Sequence, residues 1–326
     1  MYGICDTGDY WDATFSAQVE RDLGMVSLTS DPKPLVKRLT FGAVPGLLGS
    51  YVDDCLLADD HAFQELTKET LKRFWSKERT LDDAEFVGVR IATLGETRPR
   101  FTIEQRPYVD GLKRLLTDAL FKAFLSSGAS DAWLADTRPD LCCGSQLAAQ
   151  VTEAPYGPSA VRALNVLFSR AKKGRDLVLT YPQLDVTTLR VRVYADASYA
   201  TNTDGSSQVG CIVLLFDIPG LAHVLSFTSR KCRRVVRSIM AGEVYAFSAA
   251  FDEAFIIRYD LEQLYGCHFP INIFTDAKQL LDVVTKATHP TEKRLMVNIA
   301  AVRQAFNRGD TSNVGLIGTD HTQPTL

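Results

Sequence analysis

Residues 189–196 read LRVRVYAD: Leu189, Val191, Val193 and Ala195 alternate with Arg190, Arg192 and Tyr194 before the run stops on Asp196. Alternation at period two marks a strand with one buried face, so the aspartate is expected at the strand's C-terminal end. Downstream, 208–216 (QVGCIVLLF) is a buried-strand candidate and 221–228 (LAHVLSFT) a third strand, with Gly and Pro punctuating the gaps. Three consecutive strands suggest an antiparallel meander. An amphipathic helix over 238–265 follows, then a strand at 271–275 (INIFT) that stops before Asp276. Helices over 278–285 and 292–307 and a strand near 313–317 complete the pattern βββαβααβ. It predicts an α/β domain around a five-stranded mixed sheet, the first three strands antiparallel.

Asp196 and Asp276 would both project from C-terminal strand ends, where α/β sheets gather ligands. Counting by fours along the long helix gives Ile239, Glu243, Phe247, Phe251 and Phe255, a stripe expected to face the sheet and to carry one glutamate with it. A carboxylate on an apolar face is costly to bury without a partner. Three carboxylates within about 4 Å repel by roughly 4 kcal/mol per pair at an effective dielectric of 20, a cost that bound divalent cations turn into attraction. Singly, each acid reads as a strand end or a solvated helix position. Jointly, in the order D…E…D on βββαβ, they read as one metal-binding centre.

The wording of this half carries a resemblance. VYADASYATNTDGSSQVG, SFTSRKCRRVVRSIMAGEVYA, FTDAKQLLD and TEKRLMVNIAAVRQAF closely resemble successive motifs of the ribonuclease H domain in copia-type long-terminal-repeat retrotransposon polyproteins. The resemblance implies that Asp196, Glu243 and Asp276 are the catalytic acids. They would hold two Mg²⁺ ions, or Mn²⁺, that cut the RNA strand of an RNA:DNA hybrid. The family's fourth carboxylate falls in an A-D-x-x-T-K segment, and alignment places Pro324 and Thr325 where its Ala and Asp stand. Asp320, beside His321, is the remaining candidate for an extra metal ligand. Arg230, Lys231, Arg233, Arg234 and Arg237 lie in SRKCRRVVR, readable as a solvated loop or as a contact for hybrid phosphates.

The first half mixes strand-like runs (46–57, 85–91) with helical patterns (61–75, 106–124). Its segment LGSYVDDCLLADD resembles the catalytic hairpin of a reverse transcriptase palm in the same family. EFVGVRI, RPYVDGLKRLL and TRPDLCCGSQLAAQV resemble the strand, helix and connector that follow, and MYGICDTGDYW a segment that precedes it. By this resemblance Asp53 and Asp54 would bind the metal that positions primer end and nucleotide, with Tyr51 packed near the sugar. Polymerase chemistry also needs an acid from an earlier strand, and that strand and the fingers are expected to lie outside this sequence. Asp59 and Asp60 read as a polar helix start. The expected organisation is a truncated palm and thumb region over 1–125, a helical connection over 126–185, and a ribonuclease H-like domain over 186–326 without its closing helix.

Composition bounds the functions available. Of 326 residues 46% are hydrophobic and 23% charged, no apolar run reaches membrane-spanning length, and the N-terminus lacks a secretory pattern, so a cytoplasmic or nuclear protein without a membrane partner is expected. A net charge of -3 gives no global pull on nucleic acid, which leaves any affinity to local basic patches. The seven cysteines form no C-x-x-C pair and read as reduced thiols without a structural metal. Three readings remain: a weak hybrid ribonuclease without polymerase activity, a catalytically inactive retroelement remnant, and a nucleic-acid-binding module. In each, the partners are an RNA:DNA hybrid or other nucleic acid and the rest of a polyprotein.

Overall fold

The computed structural model describes residues 7–28, 35–37, 46–51, 54–74, 83–95, 100–112, 135–149, 158–202, 204–286 and 292–317. Asp53, Asp60, Asp320, His321, Pro324 and Thr325 lie outside them, as does the Tyr51 side chain. The chain divides into two compact units, Met1–Val87 with Ile256–Phe269, and Gly88–Phe255 with Pro270–Leu326.

The first unit opens with α1 (Thr7–Leu23), then β1 (Val26–Ser27), β2 (Leu35–Lys37), β3 (Gly46–Tyr51), β4 (Asp54–Asp59), α2 (His61–Lys72) and β5 (Asp83–Phe86). Helix α1 has no counterpart among the expected elements. Its Trp11, Phe15, Val19 and Leu23 recur every four residues, and the last three are almost wholly buried with Leu35, Leu48 and Phe63. Trp11 stacks on Phe15 at 4.6 Å between ring centroids, and Phe74 meets Phe15 edge-on at 5.1 Å. Strands β1 to β4 pair in sequence order, each antiparallel to the next. In the β3–β4 hairpin Ser50 faces Cys55 and Tyr51 faces Asp54.

The second unit begins with β6 (Val89–Leu94), β7 (Arg100–Glu104), α3 (Arg106–Gly111), α4 (Pro139–Ala149), α5 (Pro158–Lys173) and β8 (Leu179–Tyr181). Strands β6, β7 and β8 pair antiparallel. Helix α3 ends at Gly111 because Leu112 turns extended (φ -63°, ψ 130°), so the helix expected over 106–124 is interrupted there; its remainder, 113–124, lies outside the described residues. Val109, Leu112, Leu141, Leu164, Leu167 and Phe168 form one apolar core among the three helices.

The rest of this unit is built on β9 (Arg190–Ser198), β10 (Gln208–Phe216), β11 (Ala222–Lys231), α6 (Ile239–Tyr265, of which the part up to Phe255 belongs to this unit), β12 (Ile271–Thr275), α7 (Lys278–Thr285), α8 (Met296–Arg308) and β13 (Thr311–Leu316). The five strands lie in the order β11-β10-β9-β12-β13. Strands β9, β10 and β11 are mutually antiparallel, while β12 runs parallel to both β9 and β13. This is the expected α/β architecture with a five-stranded mixed sheet. Val191 and Val193 are fully buried and Ala195 nearly so, while the residues between them are more open, so the alternation read from 189–196 survives intact.

The helical stripe needs a correction. Glu243, Phe247 and Phe251 are buried, whereas Ile239 is 66% and Phe255 38% exposed. An α-helix turns about 100° per residue, so steps of four drift by about 40° each, and a five-member stripe walks off the buried face at both ends. The buried face instead alternates steps of three and four through Phe247, Ala250 and Ala254. From it Glu253 accepts hydrogen bonds from the Cys211 thiol on β10 and the Ser226 hydroxyl on β11, which fixes the helix over those strands.

Candidate metal centre

Strands β9 and β12 pair in parallel, and their last matched residues are Tyr194 and Phe274. Asp196 and Asp276 each lie two residues further on; Asp276 follows β12 as expected, whereas Asp196 stands inside β9 rather than at its end, because the pairing with β10 carries that strand on to Ser198. Period-two alternation therefore aims both carboxylates to the same side as the rings below, which stack at 5.4 Å between centroids. Glu243 comes from the second turn of α6. That helix is started by Ser238, whose hydroxyl accepts from the Ala241 N–H at 3.1 Å and donates to the Glu292 carboxylate, tying the helix start to the segment before α8. One carboxylate oxygen from each of Asp196, Glu243 and Asp276 can be chosen so that all lie within 4.8 Å of one another.

The electrostatics of this cluster are adverse. Burial first, then the charges of Asp196 and Asp276, push the Glu243 carboxyl up to about 8. Asp196 keeps more contact with solvent, yet partial burial and then Asp276 raise it as well. Among the described residues no lysine or arginine forms an ion pair with any of the three. The group has the makings of a hard-cation site: oxygen donors only, mutual repulsion, and a buried member that holds its proton until something positive replaces it. It is the one cluster among the described residues whose acid, histidine or cysteine atoms approach closely enough to share an ion.

The five basic residues are exposed: Arg230 and Lys231 end β11, and Arg233, Arg234 and Arg237 lie in the irregular stretch before α6. Buried Cys232 anchors it through its N–H, which donates to the Ser207 carbonyl at 2.8 Å. Two of the five are engaged within the fold. Lys231 pairs with Asp204, and Arg234 lies 5.1 Å from the Tyr245 ring centroid while donating to Asn298 at 3.4 Å.

In the other unit Asp54 is exposed at the start of β4, opposite Tyr51. It is not a member of the one close acid cluster found among the described residues. Sequence reasoning overlooked Tyr194 and Phe274, the floor beneath the acids. Their signal was present, since each precedes its aspartate by two residues.

No protein-family model matches this chain, and no curated protein matches it significantly. Solved structures do. RNase H1 from the halophilic archaeon Halobacterium salinarum is similar at 15% identity and a TM-score of 0.29, over 41% of this chain and 87% of that one. LC11-RNase H1 in complex with an RNA/DNA hybrid gives 13% identity and a TM-score of 0.30, over 42% and 89%. The foamy viral protease-reverse transcriptase, also in complex with an RNA/DNA hybrid, is similar at 12% identity and a TM-score of 0.47, over 86% of this chain and 36% of that one.

Proposed function

We propose that residues 186–326 form a metal-dependent nuclease domain that hydrolyses the RNA strand of RNA:DNA hybrids. Asp196, Glu243 and Asp276 would hold its divalent cations, Mg²⁺ or Mn²⁺. The observation that carries this reading is the approach of three acids, from two strands and a helix far apart in sequence, to within 4.8 Å. Divalent cations there would supply activation of water and stabilisation of the attacking and leaving oxygens of an in-line phosphodiester displacement. The chain's own share is positional. The matched ends of β9 and β12 present Asp196 and Asp276 side by side, and α6 brings Glu243, which must release its proton to become a ligand. Arg230, Lys231, Arg233, Arg234 and Arg237 would contact phosphates on the approach, adding affinity without reading sequence.

The first half takes its place as a palm-derived segment over 1–125 and a connection over 126–185 of a copia-type polyprotein. Tyr51, Asp53 and Asp54 would be the remnant of its polymerase site, and Asp320 a further ligand near the nuclease centre. The test is cleavage of a labelled hybrid by the purified protein in Mg²⁺. The wild type is expected to cut the RNA strand and Asp196→Asn to lose that activity; equal rates would overturn the proposal. The exposure of the five basic residues favours a second reading, a binding module. That reading predicts hybrid binding without turnover in both proteins.

A further inference from the structure

Beneath the acid cluster, and within the same unit, a cavity of about 840 Å³ lies over the sheet face that carries Tyr194 and Phe274. Its walls are mainly apolar, with Ile212 and Leu214 from β10, Val224 and Phe227 from β11 and Leu179 from β8. Pockets that take small molecules have this character: several hundred cubic ångströms, apolar walls and a few convergent polar groups. Two guanidinium groups reach it. Arg138 is already satisfied, with Asp140 accepting from its Nε and Nη2 at 2.8 Å each and the Ala171 carbonyl from its Nη1.

Arg192 is not. Its guanidinium carbon lies 3.8 Å from the Phe216 ring centroid and 5.7 Å from that of Phe274, and no carboxylate among the described residues pairs with it. Among the described residues its one side-chain hydrogen bond is a long one to the Tyr194 hydroxyl at 3.5 Å, and its buried Nε has no partner there. The aromatic contact stabilises the cation by its flat face, which leaves the edge, with its N–H donors, for an acceptor. A buried donor left unmade costs about 1–3 kcal/mol, and a carboxylate matches the fork geometry of the guanidinium. Asp196 and Asp276 line the far end of the same cavity and Asp140, also in its wall, is taken up by Arg138. Asp196 lies four residues further along β9, roughly 13 Å away at a strand's rise, so an anion at Arg192 sits at the opposite end from those two acids.

We propose that this cavity is a binding site for an amphipathic monocarboxylate, its head on Arg192 and its apolar body between β10, β11 and β8. The site is separate from the nuclease reading, because it needs neither a metal nor a hybrid. The experiment is thermal denaturation of the full chain in divalent-free buffer, titrated with decanoate, decanol or decyltrimethylammonium. Decanoate is expected to stabilise the protein saturably, with decanol at least about tenfold weaker, the size of one charge-assisted hydrogen bond. The cationic probe should give no saturable effect. Arg192→Met should abolish the preference for decanoate over decanol, and Ile212→Trp, which fills the cavity and keeps the arginine, should abolish binding of both. Absence of saturable decanoate binding to the wild type, or an unchanged preference in Arg192→Met, would overturn the proposal. Should Arg192→Met fail to fold, unaltered decanoate binding by Ile212→Trp overturns it equally.

Discussion

Asp54 opens β4 in the β3–β4 hairpin, whereas Asp196, two residues inside the end of β9, and Asp276, just past β12, lie beyond the last matched residues of the β9–β12 pair, and the two regions put their carboxylates in opposite surroundings. At the hairpin the acids are neighbours in sequence, and Asp54 faces solvent. At the sheet edge Asp196 and Asp276 come from distant segments, matched only through the pairing of Tyr194 with Phe274, and buried Glu243 closes on them from α6. An acid that keeps its water, as Asp54 does, costs little. Acids gathered by packing lose water, raise one another's proton affinity and create a demand for positive charge.

Activity should separate the two regions most sharply. Asp276→Asn is expected to lower hybrid cleavage on the order of a thousandfold, close to 4 kcal/mol of barrier, while Asp54→Asn stays within about twofold. Initial rates on one labelled substrate measure both. A large loss from Asp54→Asn would erase the contrast.

Stability against pH gives a smaller but more specific effect. The Glu243 carboxyl rises from an ordinary 4.5 to about 8 in the folded chain. Between those values the metal-free fold keeps a proton that the unfolded chain has released, so folding stability falls as pH rises through this window. Glu243→Gln should flatten that slope and stabilise the metal-free protein by ~2 kcal/mol at the alkaline end, measured by urea titration at several pH values. Asp54→Asn should leave the slope alone. A slope that persists in Glu243→Gln would assign the burial cost to another group.

The smallest effect expected is in binding. Arg233→Ala should weaken hybrid affinity severalfold and reduce the salt slope by about one, as the loss of a single phosphate contact does. Lys231→Ala should do less, because Lys231 is already paired with Asp204. Filter binding at several salt concentrations ranks them, and the reverse order would move the nucleic-acid path away from this segment.

Some elements were readable to the residue. The strands Gln208–Phe216 and Ile271–Thr275 and the helix Lys278–Thr285 have the bounds their sequence patterns predict. Others were not. Strand β11 runs to Lys231 rather than 228 because its pairing with β10 continues to Gln208, and a polar end gives no sign of that partner. Helix α1 displays its apolar recurrence plainly in Trp11, Phe15, Val19 and Leu23, yet it stands outside the elements expected from the sequence. The drift of Ile239 and Phe255 off the buried face followed from helical geometry alone.

The sequence by itself determined the alternation of β9, the order of strands and helices from β9 onward, and that Asp276 stands where β12 stops, since each depends on backbone periods that repeat over a few residues. Tertiary structure alone decided that Asp196, Glu243 and Asp276 share one small volume, that burial raises the proton affinity of the glutamate, and that Arg192 lies over two rings with no acid among the described residues paired with it. The physical reason is range. Side-chain direction is set locally, whereas the water, charge and neighbours around a group depend on which distant strands pair and which helical face packs against them.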